Sequence, residues 1–290
     1  MTASTSAIGV VGGGTMGVGI AYVFAAAGWR TTVVEPNPQR AHDMSVILGT
    51  AAEQGITRGK LSKAQASAIT HSVERVGSIA ELANGLNLVV ESVPEKMDLK
   101  LAVLGEIEQR RPQLIATNTS ALSVDALSGA IGDRHRFFGM HFFNPVWSLP
   151  LVEIIRGAST SDDTIAEAVR IATEIGKQTV TVRDTPGFAT SRLDLIASLE
   201  AMRMLEDGVA TAEDIDRAMV VAYRHPIGPL RLSDIVGLDV RLDIARHLGV
   251  ALGDRYRPPR ILEDMVAAGR LGQKSGRGFF EWPEVGEAIP

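Results

Sequence analysis

Ala7-Ile8-Gly9-Val10-Val11 leads directly into Gly12-Gly13-Gly14-Thr15-Met16-Gly17 near the N-terminus. The first five residues are apolar and predict a short strand that is covered on both faces. Good helix formers follow from Met16 to Ala27, and Gly28 then favours the end of the helix. Thr31-Thr32-Val33-Val34-Glu35 is rich in β-branched residues and predicts a second strand. A strand, a helix and a strand in about 30 residues indicate a βαβ unit.

The glycine-rich turn fits the pattern G-x-G-x-x-G, which is informative here because the turn follows a strand and opens a helix. Gly12 permits the tight turn, Gly14 lets the backbone approach a pyrophosphate, and Gly17 lets helix and strand pack closely. The N–H groups at the start of the helix, at Thr15 and Met16, favour phosphate binding. The context predicts a dinucleotide site, and the alternative is a glycine-rich turn that binds nothing.

Glu35 ends the second strand, 18 residues after Gly17. A carboxylate at this place accepts hydrogen bonds from the adenosine ribose hydroxyls, and its charge repels a 2′-phosphate. We therefore expect the cofactor to be NAD rather than NADP.

Further apolar runs at 88–90 and 114–116 alternate with helical stretches near 41–54 and 95–110, which predicts a Rossmann-type, doubly wound, mostly parallel sheet of the α/β class. The next two apolar strands, 137–143 and 151–155, are joined only by residues 144–150. A parallel crossover needs about a dozen residues, so we expect this pair to be an antiparallel hairpin. A helix at 161–176 and a strand at 179–182 complete this part of the sequence.

The rest of the chain has the patterns of helices, which we place at 188–207, 211–223, 230–252 and 258–268. Asp184-Thr185-Pro186-Gly187 separates them from the preceding strand. We therefore expect an NAD-binding domain over residues 1–183 and an all-α substrate and dimerisation domain over residues 184–290.

Composition excludes several classes of protein. The 290 residues include 29 Lys and Arg against 34 Asp and Glu, a net charge of −5, which disfavours a nucleic-acid partner. There is no Cys, so disulfides, thiolate metal sites and Cys nucleophiles are excluded, and we expect no metal. No basic residue precedes Arg30, although a signal peptide needs one ahead of its apolar core. We expect a cytoplasmic protein that has no membrane partner.

His141 and Glu153 lie six residues before and six residues after Trp147. If the hairpin turns near Trp147, the two side chains face each other on neighbouring strands, about 4.5–5.5 Å apart at Cβ. The carboxylate would then fix the imidazole tautomer and make it a better proton acceptor from an alcohol. The alternative is a buried histidine that is satisfied by the backbone.

Ser120 follows the apolar run 114–116, at a strand end that faces the ligand crevice in an open α/β sheet. A hydroxyl there can hold a substrate oxygen, although Ser is also common as a turn residue. A Ser–His–carboxylate hydrolase would use the same residue types, but no G-x-S-x-G surrounds Ser120.

Together these motifs resemble the 3-hydroxyacyl-CoA dehydrogenase family, in its short bacterial 3-hydroxybutyryl-CoA dehydrogenase form. The resemblance covers nearly the whole chain. The strings that carry it include Gly139-Met140-His141-Phe142-Phe143-Asn144-Pro145-Val146, Val89-Val90-Glu91-Ser92-Val93-Pro94-Glu95, Asn118-Thr119-Ser120, Asp184-Thr185-Pro186-Gly187-Phe188 and Gly276-Arg277-Gly278-Phe279-Phe280.

The resemblance implies an NAD-dependent oxidation of a short-chain 3-hydroxyacyl-CoA to the 3-ketoacyl-CoA, a reaction of fatty acid metabolism, in a homodimer. His141 would be the general base during hydride transfer to NAD, and Glu153 would orient it. Ser120 would bind the substrate oxygen and lie near the nicotinamide. Further positions that the family uses around the cofactor correspond to Glu95, Lys100 and Asn144.

The sequence departs from the family in two places. Many members carry Asn where this chain has Ser191, so a catalytic or substrate-binding role of Ser191 is open. Arg58 lies where the family has a basic residue for the CoA 3′-phosphate, but a nearby Ser of some members corresponds to Ala51. Lys60 and Lys63 can add to a basic patch there, or all three can form a solvated helix end.

Other functions remain open at this stage. The substrate can be a dicarboxylic thioester such as 3-hydroxyadipyl-CoA or an acyl-carrier-protein thioester. It can also be a free polyol or hydroxy acid, as in gulonate 3-dehydrogenase relatives, for which free CoA would not inhibit. A sensor that binds NAD without catalysis is the non-enzyme alternative.

Overall fold

The computed structural model describes residues 6–282. The chain divides into two compact units, Met1–Thr185 and Pro186–Pro290. Both expected domains include residues outside the described part of the chain, namely 1–5 and 283–290. Within residues 6–282, no helix combines the length and the apolar character that a membrane-crossing segment needs.

The first unit is built on one sheet, as the alternation of apolar runs and helical stretches predicts. Its strands, within the described residues, are β1 (Ala7–Val11), β2 (Arg30–Val34), β3 (Val73–Val76), β4 (Leu88–Glu91), β5 (Leu114–Thr117), β6 (Phe137–Phe142), β7 (Leu151–Arg156) and β8 (Gln178–Arg183). The strand order is β3-β2-β1-β4-β5-β6-β7-β8, and every pair is parallel except β6 and β7. The predicted Rossmann-type sheet with one antiparallel hairpin is therefore confirmed.

The helices of the first unit are α1 (Thr15–Ala26), α2 (Pro38–Thr57), α3 (Lys63–Ser72), α4 (Met97–Gln109), α5 (Val124–Leu127) and α6 (Asp162–Glu174). Local sequence explains where several begin. The Asn37 side chain caps α2 ahead of Pro38, and Ser62 and Gln65 form a reciprocal capping box at α3. Neither α3 nor β3 is expected from the sequence, because residues 58–76 are largely polar and lack a clear apolar period.

The strand order places a crevice beside β1. Chain connections leave β1 and β4 in opposite directions, toward β2 on one side and β5 on the other. At such a switch point the loops after the two strands diverge, and ligands of open α/β sheets bind there. The loop after β1 is the glycine-rich turn, so the fold brings this turn to the crevice.

The second unit is helical and has its own core. It contains α7 (Thr190–Glu206), α8 (Ala212–Arg217), α9 (Pro229–Val236), α10 (Leu238–Leu252) and α11 (Arg260–Ala267). The prediction of a single helix over 230–252 is wrong, because Gly237 adopts a φ of 103° that ends α9 before α10 begins. The α-helix expected over 211–223 stops at Arg217 and continues as a π-helical turn, Ala218–Ala222.

Candidate active site

The glycine-rich turn has no room for side chains at two of its positions. Gly12 has a φ of 113°, and a Cβ there would lie 2.6 Å from the Ser92 carbonyl oxygen on the loop after β4. A Cβ on Gly17 would lie 1.8 Å from the Gly12 carbonyl oxygen. At Gly14, by contrast, a Cβ would meet no atom within 4 Å. The turn is therefore tightly packed at Gly12 and Gly17 and open at Gly14, where a ligand can approach the backbone.

The Glu35 carboxylate is buried and fixed by the backbone around it. Its Oε2 accepts a hydrogen bond from the Gly13 N–H at 3.0 Å, and its Oε1 accepts one from the Asn37 N–H at 2.9 Å. Gly13 is a free position in the G-x-G-x-x-G pattern, yet a Cβ there would lie 2.8 Å from the Glu35 Cβ. Gly13 is thus a further site residue, and the sequence pattern alone does not indicate it.

A cavity of about 1020 Å³ opens where these groups meet. It joins the glycine-rich turn to the ends of β4, β5 and β6. Among the residues that line it are Gly12, Gly14, Thr15, Met16, Glu35, Glu95, Ser120, His141 and Asn144. The structure therefore collects nine of the residues that the sequence singled out along one cavity of the first unit.

Lys100 does not line this cavity, although the resemblance places it around the cofactor. Its side chain is fully buried, and its Nζ donates to both carboxylate oxygens of Glu91, at 2.8 and 2.9 Å. Nζ also donates to the Asn118 carbonyl oxygen at 3.3 Å. Burial raises the pKa of Glu91, whereas the Lys100 charge acts to lower it. Nζ lies 3.4 Å from a carboxylate oxygen of Glu95, which lines the cavity, so the role of Lys100 around the cofactor stays a prediction.

Glu95 organises the turn that carries Ser120. One of its carboxylate oxygens accepts hydrogen bonds from the Thr119 hydroxyl at 2.6 Å and from the N–H groups of Ser120 and Ala121 at 2.9 and 3.0 Å. Burial acts to raise the pKa of Glu95, but these bonds and the Lys100 charge outweigh it, so the pKa lies below its ordinary value. Ser120 is exposed, and its hydroxyl lies 3.4 Å from the same oxygen.

His141 and Glu153 pair directly across the hairpin, as their spacing about Trp147 predicts. Both are buried, and the strand register aligns them. The imidazole Nδ1 lies 2.9 Å from Glu153 Oε2. The neighbouring Phe142 N–H donates to Asn118 Oδ1 at 3.0 Å, which ties the end of β6 to the loop after β5. Asn118 thus holds the end of β6 in place, a role that its sequence context does not indicate.

Arg58 lines a different cavity of the first unit, with a volume of about 370 Å³. Its guanidinium donates to the Ser148 hydroxyl at 2.7 Å. Lys60 and Lys177 line the same cavity, so three positive side chains meet there. Ser191 belongs to the second unit, where it lies in the first turn of α7.

The residues of the large cavity fit a dinucleotide. The N-cap of α1 is Gly14, which makes no side-chain hydrogen bond to the first N–H groups of the helix. Because Gly14, Thr15 and Met16 line the cavity, these N–H groups can bind a pyrophosphate. Each carboxylate oxygen of Glu35 accepts one hydrogen bond from a backbone N–H group and has lone-pair capacity left to accept another from a ribose hydroxyl.

Comparison with known proteins assigns nearly the whole chain to one enzyme family. Residues 7–185 match the family described as 3-hydroxyacyl-CoA dehydrogenase, NAD binding domain, and residues 187–282 match its C-terminal domain. The chain is 36% identical to a probable 3-hydroxybutyryl-CoA dehydrogenase of Bacillus subtilis, over 95% of this chain and 96% of that protein. It is 37% identical to a 3-hydroxybutyryl-CoA dehydrogenase of Mycobacterium tuberculosis, over 97% of this chain and the whole of that protein.

Solved structures agree with these sequence matches. The crystal structure of an (S)-3-hydroxybutyryl-CoA dehydrogenase from Ralstonia eutropha superimposes with a TM-score of 0.91 at 36% identity, covering 97% of this chain and all of that chain. Residues 7–185, which match the NAD-binding domain, contain the glycine-rich turn, the large cavity and the His141–Glu153 pair. The chain therefore belongs to the 3-hydroxyacyl-CoA dehydrogenase family, and NAD is its cofactor.

Proposed function

We propose that this NAD-dependent 3-hydroxyacyl-CoA dehydrogenase oxidises a short-chain substrate, such as 3-hydroxybutyryl-CoA, with His141 as the general base. The buried contact of 2.9 Å between His141 and Glu153 carries the proposal, because His141 also lines the cavity of the glycine-rich turn. The names of the Bacillus subtilis, Mycobacterium tuberculosis and Ralstonia eutropha relatives support the choice of a four-carbon acyl chain.

Glu153 determines which imidazole nitrogen is basic. An ionised carboxylate only accepts hydrogen bonds, so the proton of the neutral imidazole resides on Nδ1, which donates to Glu153 Oε2. Nε2 is then the nitrogen that takes the proton from the 3-hydroxyl group as the C3–O bond becomes a carbonyl. NAD supplies the acceptor for the hydride that leaves C3. In the reductive direction the protonated His141 returns its proton to the same oxygen.

Ser120 is the group that we assign to the substrate oxygen. Its turn is held by Glu95, and its hydroxyl makes only a long contact of 3.4 Å with that carboxylate. A substrate oxygen can therefore compete for this hydroxyl without disturbing the backbone bonds that fix the turn. Asn144 lines the same cavity and is assigned to cofactor binding together with Glu95.

The remaining assignments rest on the resemblance. Arg58 is assigned to the CoA phosphate, a role that its place in a cavity with two lysines supports. Ser191 is assigned to the substrate by its position in the family pattern.

Residues 1–183 are proposed as the NAD-binding domain and residues 184–290 as the substrate and dimerisation domain of a cytoplasmic homodimer in fatty acid metabolism. Large apolar side chains that are exposed on the second unit, including Leu193, Val221 and Val250, support the dimer.

A substrate panel tests the proposal. The purified protein is assayed for NADH formation with 3-hydroxyacyl-CoA esters of increasing length, with NAD and NADP side by side. We expect the highest kcat/KM with the four-carbon ester and NAD, and inhibition by free CoA. A variant His141→Ala should bind NADH normally and lose turnover by about 10²–10⁴-fold. Activity with free hydroxy acids and no inhibition by CoA would refute the thioester assignment, and near-normal turnover of the variant would refute the base.

A further inference from the structure

The loop between β6 and β7, residues 143–150, is shared by the two cavities of the first unit. Phe143 and Asn144 line the large cavity that contains His141. Trp147 and Ser148 line the smaller cavity that contains Arg58. The conformation of this loop therefore affects both the proposed cofactor site and the proposed CoA site.

Lys177, the residue just before β8, holds this loop. Its Nζ donates hydrogen bonds to the carbonyl oxygens of Val146 and Leu149, the latter at 2.6 Å. The next residue, Gln178, donates its N–H to the Pro150 carbonyl oxygen at 2.7 Å. Three carbonyl groups of one short loop thus accept hydrogen bonds from the adjacent residues Lys177 and Gln178.

The ammonium group of Lys177 is buried without a carboxylate. Only 8% of the residue is exposed, and within residues 6–282 no acidic side chain forms an ion pair with it. Glu174 lines the same cavity, but its carboxylate accepts hydrogen bonds from Trp29 Nε1 and from the Arg170 guanidinium. The backbone carbonyls of the loop are therefore what stabilises the charge.

The other ionisable groups around Lys177 do not offset its charge. Lys60 and Arg58 line the same cavity from the end of α2 and the residues after it, and both are positive. Tyr22 faces the cavity from α1, and burial raises its pKa above the ordinary value. Burial and the nearby Lys60 charge lower the pKa of Lys177 to about 8. The Lys177 side chain is thus mostly charged at neutral pH and loses its charge as the pH rises through about 8.

We propose that Lys177 is a positioning residue for the dehydrogenase reaction, and that its ammonium group holds the 143–150 loop so that Asn144 stays at the wall of the large cavity. Hydrogen bonds from a charged donor are roughly twice as strong as neutral ones, so loss of the charge loosens the loop even when N–H groups remain. The role in catalysis rests on the proposed function, whereas the effect on the loop does not.

The test compares Lys177→Arg and Lys177→Met with the wild type. Arg183→Met serves as the matched control, because it also removes one positive charge, at the exposed far end of β8. Trp147 reports on the loop through ¹⁹F NMR of protein labelled with fluorotryptophan. The chain has three tryptophans, and Trp147→Phe assigns the signal. The Kd of NADH is measured by fluorescence in parallel, and kcat and KM are measured with 3-hydroxybutyryl-CoA and NAD.

In the wild type we expect the Trp147 resonance to titrate with a midpoint near pH 8. The Lys177→Arg variant should show no such titration and should keep the Kd of NADH close to that of the wild type. In Lys177→Met the resonance should be displaced at every pH, the Kd of NADH should rise about tenfold, and the KM for NAD should rise by more than kcat falls. Arg183→Met should match the wild type throughout.

Two results would overturn the proposal. One is a Trp147 resonance in the wild type that stays unchanged from neutral pH to beyond 10.5, the ordinary pKa of a lysine, a measurement that needs no variant to fold. The other is a Lys177→Met protein that binds NADH as tightly as the wild type. If 3-hydroxybutyryl-CoA proves not to be oxidised while Trp147 titrates and NADH binding weakens as expected, the proposed substrate fails and the role of Lys177 in the loop stands.

Discussion

Replacement of Glu153 by Gln tests the proposed proton-transfer pair most directly. The substitution keeps the size of the side chain and removes its charge, at a position with no exposed surface. The contact of 2.9 Å with His141 Nδ1 is a hydrogen bond to a charged group, for which about 1.5–3 kcal/mol is typical. At 1.4 kcal/mol per factor of ten, its loss from the transition state predicts a fall in kcat of about 10- to 150-fold.

The assay is steady-state NADH formation at saturating NAD and 3-hydroxybutyryl-CoA, together with the Kd of NADH by fluorescence. The Kd should stay within about twofold of the wild-type value, because Glu153 does not line the large cavity. Glu74→Gln is the matched control, since Glu74 is exposed on β3, and its kcat should not change.

The double variant that combines Glu153→Gln with His141→Ala shows whether Glu153 acts through His141 or only through packing. If Glu153 acts through His141, then Glu153→Gln should add almost nothing to the loss already present in His141→Ala. The proposed role of Glu153 is refuted if Glu153→Gln keeps wild-type kcat. It is also refuted if the substitution lowers turnover by the same factor whether or not His141 is present, because Glu153 would then act independently of the imidazole.

Four further outcomes are expected. Gly17→Ala places a Cβ 1.8 Å from a backbone carbonyl oxygen of the glycine-rich turn, so thermal unfolding should show a loss of about 1–3 kcal/mol and NADH binding should weaken. Glu35→Gln removes the charge that repels a 2′-phosphate, and the ratio of kcat/KM for NAD over NADP should fall at least about tenfold. Lys100→Met leaves the buried Glu91 carboxylate without its cation, which should lower the free energy of unfolding in urea by about 3–5 kcal/mol. Adding Glu91→Gln to this variant should restore part of the lost stability, because the unpaired charge is then removed. The pKa of Lys177 is about 8 in the folded protein and 10.5 in the unfolded chain, so between these pH values the unfolded chain binds more protons. Between pH 8 and pH 10.5 the free energy of unfolding of the wild type should therefore rise with pH, by up to about 3 kcal/mol relative to Lys177→Met.

Much of the fold follows from local patterns. The apolar runs of β1, β4 and β5 and the glycine-rich turn indicate a parallel sheet without any tertiary information. The short link 144–150 indicates an antiparallel hairpin, since a parallel crossover would not fit. The break at Gly237 is missed because the hydrophobic pattern continues through it, and only the backbone conformation ends the helix.

The parts of the site that the sequence does not reveal are buried charges whose partners lie on another element of the fold. Nothing in the sequence shows that Lys100 and Glu91 are fully buried against each other. Lys177 follows a glycine turn and gives no sign that it reaches carbonyl groups about thirty residues earlier. Burial of this kind depends on which helices cover the ends of the strands, and no local pattern records that.

The predictability of the His141–Glu153 pair has a physical cause. In an antiparallel hairpin the register is fixed by the position of the turn, so two residues at equal distances from the turn must face each other. Between parallel strands the register depends on a long crossover, which the sequence does not measure. The proposed proton-transfer pair lies on the antiparallel pair of the sheet, whereas the glycine-rich turn, Glu35 and Glu95 follow parallel strands. The 143–150 loop connects the two strands of that hairpin and contributes residues to both cavities, so the proposed role of Lys177 in this loop extends to both of them.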